Sequence, residues 1–229
     1  VEPERIVVFS GAGISAESGL RTFRDSDGLW EQYRVEDVAT PDAWRRDMDL
    51  VLRFYDERRA QVLAAQPNAA HLAIARLQQR FRVDVITQNI DDLHERAGSK
   101  HVLHLHGEIL LARSTFNPTL VTRINGPSLR RGDTCALGSQ LRPHIVWFGE
   151  EVPMLPEAAE LMSQAQRVLV VGTSLNVYPA ANLVHYAPSS APMVLIDPKP
   201  VAVSRALLET VRATAVLSVP PIVDDWLRQ

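Results

Sequence analysis

His104-Leu105-His106 sets two imidazoles two residues apart, and an imidazole titrates near neutrality, so either ring could take a hydroxyl proton at working pH. Alternate side chains of a strand face opposite sides, so only one of the pair can face a cleft. Gln88, Asn89 and Asp91 form a polar cluster behind an apolar run. Such a cluster can cap a helix, hold a polar ligand, or do both. Gly11-Ala12-Gly13-Ile14-Ser15-Ala16 follows another apolar run and matches G-x-G-x-x-G/A. Its glycines would let backbone N–H groups approach a pyrophosphate. The acid that a dehydrogenase carries about 20 residues on is missing. The chain runs instead into Gly19-Leu20-Arg21-Thr22-Phe23-Arg24, so the plain dehydrogenase fingerprint fails. Tyr55 and Arg58 share one face of a helical stretch. A phenol beside a guanidinium suits a carboxylate; an exposed arginine next to a core-edge tyrosine is the plainer alternative.

These groups need elements to position them. Apolar runs at 6–9, 83–86, 168–171 and 193–196 read as buried strands, with further strand-like pieces at 102–105 and 145–148. Helical stretches are expected at 47–64, 68–80, 156–166 and 179–187. The second has Ala69, Leu72, Ala73, Ala75 and Leu77 on its apolar face. This alternation favours a parallel α/β architecture. The strands end in Gly11, in Thr87-Gln88-Asn89, in Gly172-Thr173-Ser174 and in Asp197. Open parallel sheets bind ligands beyond their carboxyl ends, so these endings describe a crevice. Residues 21–66 and 108–143 break the alternation and read as two excursions forming a smaller lobe. The sheet part then comprises about 1–20, 67–107 and 144–229, within a single unit spanning 1–229.

The 229 residues suffice for a substantial core without staples. Lys+Arg 24 against Asp+Glu 27 leaves a net charge of −3, which offers no bulk pull toward nucleic acid or an anionic membrane. No run approaches the roughly 18 to 20 apolar residues of a membrane span. The start, Val1-Glu2-Pro3-Glu4-Arg5, has no secretory signal pattern, so a cytoplasmic location is expected. Cys135 is the single cysteine, which excludes an intrachain disulfide and any site built from several cysteines.

Five segments together resemble the sirtuin family of NAD-dependent protein deacylases. They are Gly11 to Leu20 with Thr22-Phe23-Arg24; Thr87-Gln88-Asn89-Ile90-Asp91-Asp92-Leu93-His94; and His104-Leu105-His106-Gly107. Val146-Trp147-Phe148-Gly149-Glu150 and Gly172-Thr173-Ser174 complete the set, in the family's order, from about Ile6 to Pro198. The resemblance implies a Rossmann-like sheet domain with a smaller lobe formed by two insertions. It implies NAD as a consumed co-substrate and acyl-lysine proteins or peptides as partners, with no direct nucleic-acid or membrane role.

Residue by residue, it selects His106 as general base and puts Asn89 and Asp91, with Gln88, around the nicotinamide and its ribose. Gly11, Ala12, Gly13, Ser15 and Arg24 fall near the phosphates and reactive ribose, and Phe23 shields the sugar. Gly172, Thr173 and Ser174 lie beside the adenosine ribose. Asp197 stands where the family often has Asn; a carboxylate there favours NAD over a 2′-phosphorylated cofactor. Val146, Phe148, Gly149 and Glu150 would offer an edge strand to an extended peptide. The implied reaction displaces nicotinamide by the acyl-lysine amide oxygen, then passes the acyl group to ADP-ribose, releasing 2′-O-acyl-ADP-ribose. Tyr55 and Arg58 resemble the acid-recognising pair of the subclass that removes succinyl and malonyl groups, so these are the preferred acyl groups, with acetyl also removed. Alternatives are an NAD hydrolase or ADP-ribosyl transferase, and a non-catalytic NAD or ADP-ribose sensor.

Asp197 is one departure from the family, and the small lobe holds a second. Most sirtuins hold zinc by two C-x-x-C pairs, whereas the aligned positions here are Ser114, Asn117, Cys135 and Gly138. Structural zinc takes four N or S ligands, so no zinc is expected. The lobe would instead pack through Leu120, Val121, Ile124, Leu129 and Leu137.

Overall fold

The computed structural model describes residues 2–20 and 33–229. In chain order its strands are β1 (Arg5–Ser10), β2 (Arg82–Thr87), β3 (Val102–His104), β4 (Gly107–Ser114), β5 (Val121–Arg123), β6 (Leu141–Ile145), β7 (Arg167–Val171), β8 (Met193–Ile196) and β9 (Leu208–Val211). Six of them form a sheet in the order β3-β2-β1-β7-β8-β9, in which every pairing is parallel. A parallel sheet has both faces covered, which is why β1 is buried along its whole length. Ile6 and Val8 face a cluster with Ala70, Ile74 and Leu77 and with Val219, Val223 and Trp226. Val7 and Phe9 face the other way, toward Ala158, Met162, Leu183 and Val184. From β1 the chain winds outward to β2 and β3 on one side and to β7, β8 and β9 on the other. The crevice at such a reversal is where open α/β sheets hold ligands.

β4, β5 and β6 form a separate antiparallel sheet in the order β5-β4-β6. The helix Met48–Ala64 packs on it, with Leu52, Ala112, Ile124, Leu129 and Leu141 in one cluster. The Asp47 side chain caps that helix by accepting from Leu50 N at 3.0 Å. Arg59, fully buried, donates to the carbonyls of Ile109 at 2.8 Å and Pro127 at 2.9 Å. The two excursions are thus tied by packing and by hydrogen bonds.

Several expectations change. The 108–143 stretch, read as an excursion with no sustained period, takes part in three strands; β5 gives no pattern because it is only three residues long and exposed throughout. Of the residues expected to pack the lobe, Ile124 and Leu129 are buried, but Val121 and Leu137 are 42% and 62% exposed. The helix expected over 68–80 is Ala69–Arg76 followed by a 3₁₀ turn, Leu77–Gln79. Its buried face is Ala70, Ala73, Ile74 and Leu77 rather than the one through Leu72, which is 51% exposed. The segment expected as a helix at 179–187 is a 3₁₀ helix, Ala180–Tyr186. β9 and the helix Ala215–Arg228 were not expected; Pro220 and Pro221 inside that helix mask its signal. Among the described residues no helix is long and apolar enough to cross a membrane.

Candidate active site

The glycine loop after β1 is pressed against the loop after β7. A Cβ on Gly11 would lie 2.7 Å from Gly172 O, and one on Gly13 would lie 2.7 Å from Gly172 Cα. Gly172 has φ +65°, and a Cβ there would meet Ile14 N at 2.3 Å. These glycines allow two backbones to touch. Gly11 N donates to Val171 O at 3.0 Å and Gly13 N to Gly172 O at 2.8 Å. Both N–H groups are therefore committed to the protein, and any backbone donors to a pyrophosphate are others than these two.

Beside this seam, Ser15, Asn89 and Asp91 meet, each at most 6% exposed. Ser15 Oγ donates to Asp91 Oδ2 at 3.0 Å and accepts from Asn89 Nδ2 at 3.2 Å. Asp91 Oδ1 also accepts from Leu93 N at 3.1 Å, bracing the turn before the helix Leu93–Arg96, whose N-cap is Asp92. Burial pushes the Asp91 carboxyl above the usual carboxylate range, against the pull of Leu93 N, Ser15 and the Arg58 charge. Gln88 Oε1 accepts from Thr173 Oγ1 at 2.8 Å, tying the ends of β2 and β7 together. Gln88 Nε2 is buried with no hydrogen-bond partner among the described residues, a donor that a polar ligand would satisfy. Ser174 is half-buried next to these groups in the chain. Asp197, at the end of β8, accepts from Lys199 N at 2.8 Å. Phe23 and Arg24 lie outside the described residues, and Ala12 joins the two glycines of the seam.

His106 is half-buried, and its Nδ1 lies 3.1 Å from Gln88 O. A carbonyl only accepts, so Nδ1 carries the proton and Nε2 is left with its lone pair in the neutral ring. Burial lowers the His106 titration, against the Gln88 carbonyl, which favours the neutral ring at pH 7. His104 Nδ1 reaches the next carbonyl, Asn89 O, at 2.9 Å. The expected strand alternation therefore does not separate the two histidines' partners, because β3 ends at His104 and His106 lies beyond it. Gly107 follows with φ +85°, where a Cβ would lie 2.0 Å from His144 O. Only glycine fits that turn.

The 146–150 segment is not the regular edge strand expected, since β6 ends at Ile145. Val146 N donates to His106 O at 2.9 Å and Phe148 N to Ala39 O at 3.0 Å. Glu150 Oε2 accepts from Trp147 N at 2.8 Å, and the carboxylate pairs with Arg142 at 2.7 Å and Arg113 at 3.3 Å. Burial raises the Glu150 titration, but the Arg142 hydrogen bonds, Trp147 N and both arginine charges outweigh it and hold it below the usual range. Glu150 thus turns inward to fix the turn through Gly149, whose φ is +88°. Phe148 is 52% exposed beside it.

Tyr55 and Arg58 are 3% and 5% exposed, which removes the reading of Arg58 as a solvated surface residue. Tyr55 Oη accepts from Trp147 Nε1 at 3.0 Å, leaving its own O–H as a donor. Burial raises the phenol well above its ordinary range. Arg58 Nη1 donates to Gln61 Oε1 at 3.2 Å, and its charge reaches Asp91.

At the positions aligned with the zinc ligands, Ser114 Oγ accepts from Phe116 N and Asn117 N, each at 3.1 Å, and from Cys135 Sγ at 3.3 Å. Asn117 Oδ1 accepts from Thr119 N at 3.1 Å, and Gly138 contributes no side-chain donor. One thiol, a hydroxyl and an amide do not fit a structural zinc.

Two buried histidines were not anticipated. His71 Nδ1 accepts from Asn68 N at 3.3 Å, completing the capping box of Ala69–Arg76, and Nε2 faces Ser15 Oγ at 3.4 Å. Burial pushes His71 down to about 4. His94 Nε2 lies 2.9 Å from Ser10 Oγ, whose neighbour Thr87 Oγ1 accepts from Asn89 N at 3.1 Å. The Asn68-x-x-His71 spacing is the one sequence signal that could have marked the first.

Fold and crevice together define an α/β protein with its polar groups gathered at a topological switch point. A sequence profile of the Sir2 family matches residues 11–179. An NAD-dependent protein deacylase of Bacteroides thetaiotaomicron is 50% identical over 203 residues, covering 86% of this chain and 87% of that protein. One of Vibrio cholerae is 45% identical over 230 residues, covering 97% of this chain and 93% of that protein. A solved Sir2 homologue in complex with NAD superposes with a TM-score of 0.87 at 38% identity, covering 99% of this chain and 91% of the other. The chain belongs to the Sir2 family.

Proposed function

We propose that this chain is an NAD-dependent protein-lysine deacylase in which His106 is the general base and the acyl pocket favours succinyl and malonyl groups. The observation that carries the reading is His106: its Nδ1 is committed to Gln88 O at 3.1 Å, which leaves Nε2 as the proton acceptor in the neutral ring. NAD, when bound, supplies an electrophilic ribose carbon with nicotinamide as its leaving group. Gln88 Nε2 donates to that ligand from inside the crevice, and Asn89 and Asp91 orient its ribose. Gly11, Gly13 and Gly172 keep the crevice floor free of side chains, while Ser174 and Asp197 face the adenosine end. His106 then takes a ribose hydroxyl proton as the acyl group moves to ADP-ribose. An extended acyl-lysine peptide directs its N–H groups to the Val146 and Phe148 carbonyls, because the N–H groups of that segment bond inward. Incubation with NAD and succinyl-, acetyl- or unmodified-lysine peptide, followed by nicotinamide and peptide mass, tests the reading. Acyl loss matched by nicotinamide and acyl-ADP-ribose supports it. Nicotinamide release with unchanged peptide points instead to an NAD hydrolase.

Acyl preference, in this reading, comes from the Tyr55 O–H and the Arg58 guanidinium each meeting the carboxylate of an acidic acyl group. Arg58→Met is expected to cost desuccinylation more than deacetylation. A charge-assisted hydrogen bond is worth about 1.5–3 kcal/mol, or roughly tenfold to 150-fold in relative rate. Equal losses on both substrates would mean that Arg58 serves only to support Asp91.

The small lobe, in this reading, closes on Ser114 and Cys135 without zinc. Elemental analysis is expected to give far less than one zinc per chain, with the melting temperature unmoved by a strong chelator. One zinc per chain would show that other ligands, such as His144, had been recruited.

A further inference from the structure

We propose that His104 is a charged positioning residue, an imidazolium that grips the backbone of the catalytic loop at Asn89 and is held in that form by Glu95. The proposal deepens the deacylase reading and rests on it. Its basis is the pair of acceptors around one ring. Nδ1 lies 2.9 Å from Asn89 O, and Nε2 lies 2.6 Å from Glu95 Oε1. A neutral imidazole has one N–H, yet here each ring nitrogen faces an oxygen that accepts. With Glu95 as its carboxylate, both nitrogens must carry protons. The His104 side chain is 7% exposed, whereas Glu95 is 38% exposed, so a buried ring meets a carboxylate at the rim.

The surrounding charges favour the same form. Glu95 comes from the helix Leu93–Arg96, Glu108 from β4 and Asp91 from the loop after β2. Glu95, His104 and Glu108 have polar atoms all within 4.8 Å of one another. His94 and His144 also face the ring, and its charge helps to hold both neutral. Burial opposes the charged ring, but the Glu95 hydrogen bond and charge, Asn89 O and Glu108 outweigh it and raise the titration above the ordinary value.

Two histidines two residues apart therefore hold successive carbonyls, Gln88 O and Asn89 O, in opposite states of charge. His106 works neutral, so activity falls as pH drops through its lowered titration. His104 works charged, so loop positioning fails as pH rises through its raised titration. The pH–rate profile for steady-state deacylation should be a bell bounded by the two.

Glu95→Gln keeps an acceptor but removes the anion. It is expected to move the alkaline limb down by about one pH unit or more, since an opposite charge at this range is worth one to three units. The acidic limb should stay in place. A merely structural role for Glu95 would lower the rate without moving either limb, and that result overturns the proposal. A second measurement needs no variant, NAD or peptide: ring ¹⁵N spectra of the wild-type protein at pH 7. Two protonated nitrogens at His104 support the assignment; one protonated and one bare nitrogen overturn it. The ring state is read independently of catalysis, so a failed deacylase assay and a neutral His104 are distinguishable.

Discussion

Replacing His106 by alanine is expected to lower deacylation by about 10²–10⁴-fold, the usual worth of a general base, with the fold and NAD binding kept. Among the described residues the ring is anchored by one hydrogen bond, to Gln88 O, and its loss leaves Gly107 and the turn into β4 with their own backbone bonds. Steady-state rates with an acyl-lysine peptide, beside circular dichroism of the variant, are the measurement. In the wild type the rate should fall below neutrality as His106 gains its proton, and burial sets that fall below the ordinary value of about 6.5. Activity within tenfold of wild type would remove His106 from the role.

Asn89→Ala and Asp91→Asn are expected to slow nicotinamide release by about 10²-fold, the scale of a misplaced reacting group. Asn89 loses its bond to Ser15 Oγ, so a hydroxyl in the buried network is left to reorient. Asp91→Asn is the sharper variant. Its remaining oxygen can still accept from Leu93 N and brace the turn before the helix, so a loss of rate reports the charge rather than the turn. Nicotinamide formation in the presence of saturating peptide gives the rate directly. An unchanged rate in either variant excludes that residue from the site.

The parallel sheet was legible because its strands are continuous apolar runs, each ending in small or polar residues, and those endings do meet in space. Register and partnership were not. Gly11 and Gly13 read as a phosphate loop, but their contact with Gly172, about 160 residues away in the chain, cannot be seen from local spacing. The Met48–Ala64 helix was visible as a long helical stretch, whereas its Asp47 cap and the place of Tyr55, 3.0 Å from Trp147, were not. β5 escaped because exposed strands lack alternation. His71 and His94 escaped for a related reason: a buried histidine is recognised by its partners, and Ser15 and Ser10 come from a distant strand and its loop.

Gly107 gives the two sheets a common fulcrum. The chain passes from β3 through His106 to this glycine and at once into β4, while Val146 N closes on His106 O at 2.9 Å from the far side. In a rotation about one point, displacement grows with distance from that point. A tilt of the small sheet about this glycine would therefore move the Ser114–Cys135 corner furthest and His106 least, while the bond from Ile109 N to Ile90 O at 2.8 Å resists it.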